Sequence, residues 1–170
     1  MAILKNSLIV ATAIIALAGC AKKDRVLPPG PIGSSSGATA TGSNINQGPI
    51  PGSQEDFVAS VAADRVFFDT DRYDVDAEDQ ATLQSQAKWL ARYPATRVTV
   101  EGHCDERGTR DYNIALGERR ANSAKNYLAA QGVDASRIST ISYGKERPEA
   151  NGSDEDSWAR NRRAVTVTVR

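Results

Sequence analysis

The chain has 170 residues, which leaves room for one domain with a real core and little excess. Lys+Arg and Asp+Glu both total 21, with 25% charged and 40% apolar residues, so no bulk charge points to nucleic acid. Two isolated cysteines, Cys20 and Cys104, exclude a disulfide framework, and a single histidine excludes the usual zinc-finger spacings.

The first nineteen residues have the parts of a secretory signal. Lys5 supplies a positive start, and Leu8 to Leu17 is an apolar run shorter than the roughly 20 residues a spanning helix needs. The run ends in Leu17-Ala18-Gly19-Cys20, which resembles a bacterial lipobox, with Cys20 lipidated as the first residue of the mature chain. Each buried acyl CH2 contributes about 0.8 kcal/mol, so a multiply acylated Cys20 anchors firmly and is lost as a disulfide partner. Ala21 stands where an aspartate in such lipoproteins tends to retain them at the inner membrane, so the expectation is the outer membrane. Removing residues 1–19 leaves 20 basic and 21 acidic side chains.

Residues 20–53 carry the lipidation site and a Gly/Ser/Pro/Thr-rich stretch without apolar period. Such composition cannot bury enough surface to offset its ordering entropy, so a flexible tether is expected, with a coil reach of ~30 Å. The folded domain is expected over 54–170.

Arg65 to Phe68 reads as a short strand. Four carboxylates then fall in eight residues, Asp69 to Asp76. A calcium loop starting at Asp69 would need Gly and Glu where Asp74 and Gln80 stand, so the stretch reads as a strand–helix loop with Asp76 as N-cap. Ala77-Glu78-Asp79 begin a helix with acids at its positive end. Leu83, Ala87 and Leu90 form its core-facing stripe, and Pro94 follows it.

Arg97 to Cys104 alternates, with Val98, Val100, Gly102 and Cys104 on one face and Arg97, Thr99, Glu101 and His103 on the other. His103-Cys104-Asp105 holds the ingredients of a cysteine hydrolase, but neighbours on a strand point to opposite faces, so His103 does not activate Cys104. Cys104 reads as a small, partly buried hydrophobe. No enzyme is expected, and neither a metal nor another cofactor.

A polar turn follows, with Asp105, Arg107, Gly108 and Arg110, and then a helix over 111–131. Leu116, Ala121, Ala124, Tyr127 and Leu128 share one side of it. Arg120 lies on that same side, with Asn113 seven residues earlier, while Glu118 and Lys125 lie opposite. An arginine in an apolar stripe is costly unless paired. Two readings stay open: a structural salt bridge to Asp105 or another acid (or snorkelling to the stripe's end), or a ligand site in which Arg120 takes a carboxylate and Asp105 an ammonium. That second pair would recognise a zwitterionic amino-acid group.

Gly132 is the expected helix stop. Arg137 to Tyr143 forms a third strand. Residues 149–160 read as a polar loop whose acids at 154–156 are solvated. Arg163 to Val169 closes the domain, with Val165, Val167 and Val169 on one face. The order β-α-β-α-β-β implies an α/β (α+β) two-layer sandwich, two helices packed on one face of a mixed sheet.

Four motifs together carry a family resemblance: Glu101-Gly102-His103-Cys104-Asp105-Glu106-Arg107-Gly108-Thr109, Tyr112 to Ala121, Ser142-Tyr143-Gly144, and Asn161-Arg162-Arg163-Ala164-Val165. With the lipobox and tether, the chain resembles the OmpA C-terminal-like peptidoglycan-binding family, and within it the outer-membrane lipoproteins of the Tol–Pal system. The resemblance implies non-covalent binding of the meso-diaminopimelate of the peptidoglycan stem peptide, by residues matching Asp105 and Arg120, fifteen positions apart. Asp71, Arg107, Asn113 and Leu116 carry over as secondary site residues. It also implies TolB and other Tol proteins as partners, a monomeric domain, and roles in envelope integrity and cell division. Cys104 departs from the family pattern, in which a small residue such as Ala or Thr often stands there, and a thiol at that position implies a site sensitive to oxidation.

Overall fold

A computed structural model describes residues 48–169. The elements are α1 (Gln54–Ser60), β1 (Arg65–Phe67), α2 (Ala77–Arg92), β2 (Arg97–His103), α3 (Arg110–Ala130), a 3-10 turn (Ala135–Arg137), β3 (Ile138–Gly144), α4 (Glu155–Asn161) and β4 (Arg163–Val169). The signal segment, Cys20 and most of the tether lie outside the described residues.

The four strands form one mixed sheet in the order β1-β4-β2-β3. β2 and β3 are parallel, and β4 runs antiparallel to both β1 and β2. α2 and α3 supply the second layer, as the two-layer expectation requires. Val66, Val98, Val100 and Ala164 face Leu83, Ala87 and Leu90 of α2 and Ala121, Ala124 and Leu128 of α3. Trp89 fills the end of this core, edge-on to Phe57 of α1 with ring centroids 5.0 Å apart.

The expected helix ends hold. Asp76 caps α2 by accepting from the Asp79 N–H at 2.8 Å. After α3, Val133 N–H returns to Leu128 O at 3.2 Å beside Gly132. Arg137 secures the far end of the sheet. Its guanidinium donates to Leu90 O, Tyr93 O and Thr96 O, satisfying carbonyls that the end of α2 leaves open.

Two features differ from the sequence reading. α1 and α4 add two seven-residue helices. The second replaces most of the polar loop expected over 149–160. Its acids are not merely solvated, because Asp154 caps the helix by accepting from Ser157 N–H, and Glu155 pairs with Arg162 at 2.8 Å. In β4 the face toward the helices is the one with Ala164 and Thr166, which pair with Gly102 and Val100. Thr166 is tolerated there because its hydroxyl donates to Gln86 Oε1 at 2.8 Å. The valine face, as predicted a single face, lies on the side away from the helices.

α2 also engages the main chain around β1. Asp79 Oδ1 accepts from Phe67 N–H at 3.2 Å, Gln86 Nε2 donates to Ala63 O at 2.9 Å, and Ser85 Oγ accepts from Ala62 N–H at 3.0 Å. Burial raises the Asp79 carboxyl to about 6; the Phe67 N–H opposes this shift, and Asp76 and Glu78 add to it. The fold therefore holds the Asp79 proton more tightly than the unfolded chain, whose value lies near 3.8. Stability from this group is full below about pH 4 and falls as pH rises toward 6. Asp79→Asn is expected to stabilise the domain at pH 7 by about 1 kcal/mol, with the gain vanishing near pH 4. Urea unfolding of both proteins across that range checks this.

Candidate functional site

The sheet and α3 approach most closely at two glycines. A Cβ on Gly102 would lie 1.8 Å from Gly117 O. This contact brings the C-terminal end of β2 hard against the first half of α3 and sets the geometry of the turn between them.

That turn is fixed from several sides. Thr109 caps α3 by accepting from Tyr112 N–H. Asn113 Nδ2 donates to Arg107 O at 2.7 Å, and Lys145 Nζ donates to Glu106 O and Gly108 O. Beside it opens a cavity of about 490 Å3. Three segments line it: the β1–α2 loop with Asp71, the turn with Cys104, Asp105 and Arg107, and α3 with Asn113, Leu116 and Arg120. All six site residues expected from the sequence thus meet around one cavity, although they span positions 71 to 120.

Asp105 is buried and heavily engaged. Oδ1 accepts from the main-chain N–H of Arg107 at 3.0 Å and from its Nε at 3.1 Å, and Oδ2 accepts from its Nη2 at 2.7 Å. Arg162 Nη1 lies 3.5 Å from Oδ2. Burial alone would raise the Asp105 carboxyl, but the Arg107 hydrogen bonds outweigh it and hold the group below the usual carboxylate range. The Arg107 guanidinium stacks 4.2 Å over Trp158, whose Nε1 donates to Glu106 Oε1 at 3.1 Å.

Arg120 does not form the structural salt bridge that one of the two sequence readings expected. It is 0% exposed and takes no carboxylate. Nε donates to Arg72 O at 2.8 Å, Nη1 to His103 O at 2.9 Å and Nη2 to Asp69 O at 3.0 Å. Desolvation lowers its pKa. Arg120 also lines the cavity. Its main-chain grip shapes the β1–α2 loop, where Asp71 adopts φ +57 and accepts from Tyr112 OH at 3.1 Å.

Cys104 is buried, its thiol donating to Asn113 O at 3.3 Å, and burial pushes its pKa up to about 11. A buried, protonated thiol is a poor target for oxidants, which corrects the expected oxidation sensitivity. His103 points to the other face of the sheet, 5.5 Å from the Tyr143 ring, as the alternation requires. Burial, with Arg163 nearby, lowers its pKa to about 4, so it is neutral at pH 7. Among the described residues no group of three or more His, Cys, Asp or Glu could hold a metal. The cavity presents fixed charges of both signs beside polar hydroxyls and one apolar wall.

Sequence reasoning missed Trp158 and Arg162, which belong to or follow α4. The signal was present, since Asp154 followed by two acids and then Trp158 is a capped helix start.

A family model described as the OmpA family matches residues 67–162, which contain all three segments of the cavity. The chain belongs to the OmpA family. Among relatives of this OmpA-family chain, a peptidoglycan-associated lipoprotein of Agrobacterium fabrum is 52% identical over 96% of this chain and 88% of its own length. A peptidoglycan-associated lipoprotein of Rhizobium meliloti is 50% identical over 97% and 89%. The crystal structure of the peptidoglycan-associated lipoprotein from Burkholderia pseudomallei superposes with a TM-score of 0.62 at 44% identity, covering 64% of this chain and 92% of that one. The C-terminal domain of Helicobacter pylori MotB, at 20% identity and a TM-score of 0.60, shares the OmpA-family fold. Among the described residues no helix is long and apolar enough to cross a membrane.

Proposed function

We propose that this chain is an outer-membrane lipoprotein, anchored through lipid on Cys20, whose domain over 54–170 binds peptidoglycan without catalysing a reaction. The names of its close relatives support peptidoglycan as the ligand. One observation carries the site: Asp71, Asp105, Arg107, Asn113, Leu116 and Arg120 converge from three segments on a cavity with charges of both signs. That chemistry fits the zwitterionic end of meso-diaminopimelate in the stem peptide, with Asp105 toward the ammonium and Arg120 toward the carboxylate. Residues 20–53 would act as the tether between membrane and wall. TolB and other Tol proteins are the partners that the family resemblance supports, with roles in envelope integrity and cell division.

Co-sedimentation with purified sacculi tests the reading. Asp105→Asn keeps the shape of the side chain and an acceptor for Arg107 while removing the charge. Loss of one partner of a buried charge pair is expected to weaken binding by about 2–5 kcal/mol, roughly 30-fold or more. If the folded variant sediments like the wild type, Asp105 is not the ammonium site.

A further inference from the structure

The seat that an ammonium would take at Asp105 already holds a cation. A carboxylate offers about four acceptor positions. Arg107 fills three with its main-chain N–H, Nε and Nη2, and Arg162 Nη1 stands 3.5 Å from Oδ2. The two arginines differ in freedom. Arg162 is buried, with Nε donating to Phe68 O and Nη2 to Glu155, and its Nη1 has no hydrogen-bond acceptor. The Arg107 side chain is 39% exposed. It rests between Trp158 and Thr70 Oγ1, which accepts from Nη2 at 3.3 Å.

We infer, on the reading of the site just proposed, that Arg107 is a resident counter-ion of Asp105 that an incoming ligand ammonium displaces, and that Trp158 holds it in place. Arg107 swings outward, away from Asp105 and off the indole, as the ammonium enters. Its main-chain N–H stays on Oδ1, and Arg162 Nη1 stays beside Oδ2, so the buried carboxylate is never left without a cation. The resident form lowers apparent affinity in proportion to its population, as any non-binding conformer does. The exchange also confers selectivity. A ligand with an amine replaces the lost guanidinium contacts, and a dicarboxylate without one has nothing to offer Asp105.

Calorimetric titration of the full-length protein in detergent with meso-diaminopimelate and with pimelate, which has no amine, tests this. Arg107→Gln is expected to bind meso-diaminopimelate roughly threefold to tenfold more tightly, with pimelate unchanged. Trp158→Leu is expected to shift affinity the same way by a smaller factor, and it decides the matter if Arg107→Gln does not fold. Unchanged or weakened meso-diaminopimelate binding in the folded variant overturns the exchange, as does an equal gain for pimelate. Asp105→Asn measured alongside separates the two levels. If it loses binding while Arg107→Gln gains none, the exchange fails and the site stands; if it binds like the wild type, the site itself fails.

Discussion

Gly102→Ala is expected to destabilise the domain by about 4 kcal/mol or more, among the largest effects available to one methyl group. The added Cβ would lie 1.8 Å from Gly117 O and 2.6 Å from Gly117 C, so backbone must separate from backbone. No rotamer change relieves that clash. Gly117→Ala makes a useful contrast. Its Cβ would meet Ser142 Oγ at 2.4 Å and Gly102 O at 3.0 Å, and the serine hydroxyl can turn away at the loss of its hydrogen bond to Ile114 O. Its cost should therefore be clearly smaller. Chemical denaturation of the two variants gives the comparison, and equal losses would show that the clash is absorbed elsewhere. The effect reaches the site, because moving the end of β2 shifts His103 O, the acceptor of Arg120, and the turn carrying Asp105.

Arg120→Ala is expected to cost at least about 3 kcal/mol of stability, lowering Tm by about 10 °C or more. The substitution leaves the carbonyls of Asp69, Arg72 and His103 without their donor, and those carbonyls belong to two separate segments. Removing a desolvated cation offsets part of this, but the buried His103 carbonyl and two part-buried ones left without a donor carry the larger penalty. Arg120→Lys should recover only part, since an ammonium lacks the planar fork that reaches three carbonyls in different directions. Thermal unfolding of the two variants checks the order. Loss of sacculus binding in Arg120→Ala would then report collapse of the β1–α2 loop before it reports a missing ligand contact. The charge-only change at Asp105 is the cleaner probe of recognition.

Much of this architecture was legible in the chain. The stripe Leu83, Ala87, Leu90 and the Asp76 cap define α2, and helical phase alone marks Arg120 as misplaced in an apolar face. The main-chain grip of Arg120 was not legible, because its acceptors are carbonyls, which leave no trace in side-chain identity. The two short helices were hidden for a related reason. Each is seven residues long, so neither presents two full turns of apolar period, and their caps sit in stretches whose Gly, Ser and acidic content reads as loop. β4 shows a third limit. Its alternating valines share one face, yet the face under the helices is the one with Thr166, since Gln86 across the core satisfies its hydroxyl. Only a partner 80 positions away makes that choice reasonable.

The side chains of α2 that bind the main chain of residues 62–67 have a consequence for crowded surfaces. An outermost strand with free N–H and C=O groups is a template on which another copy can extend the sheet, the first step toward amyloid-like stacking. Here β1 is three residues long, and Ser85, Gln86 and Asp79 already occupy main-chain groups around it. A lipid anchor that concentrates many copies on one membrane face would favour such growth. At this margin of the sheet the fold gives an arriving strand few hydrogen bonds to complete.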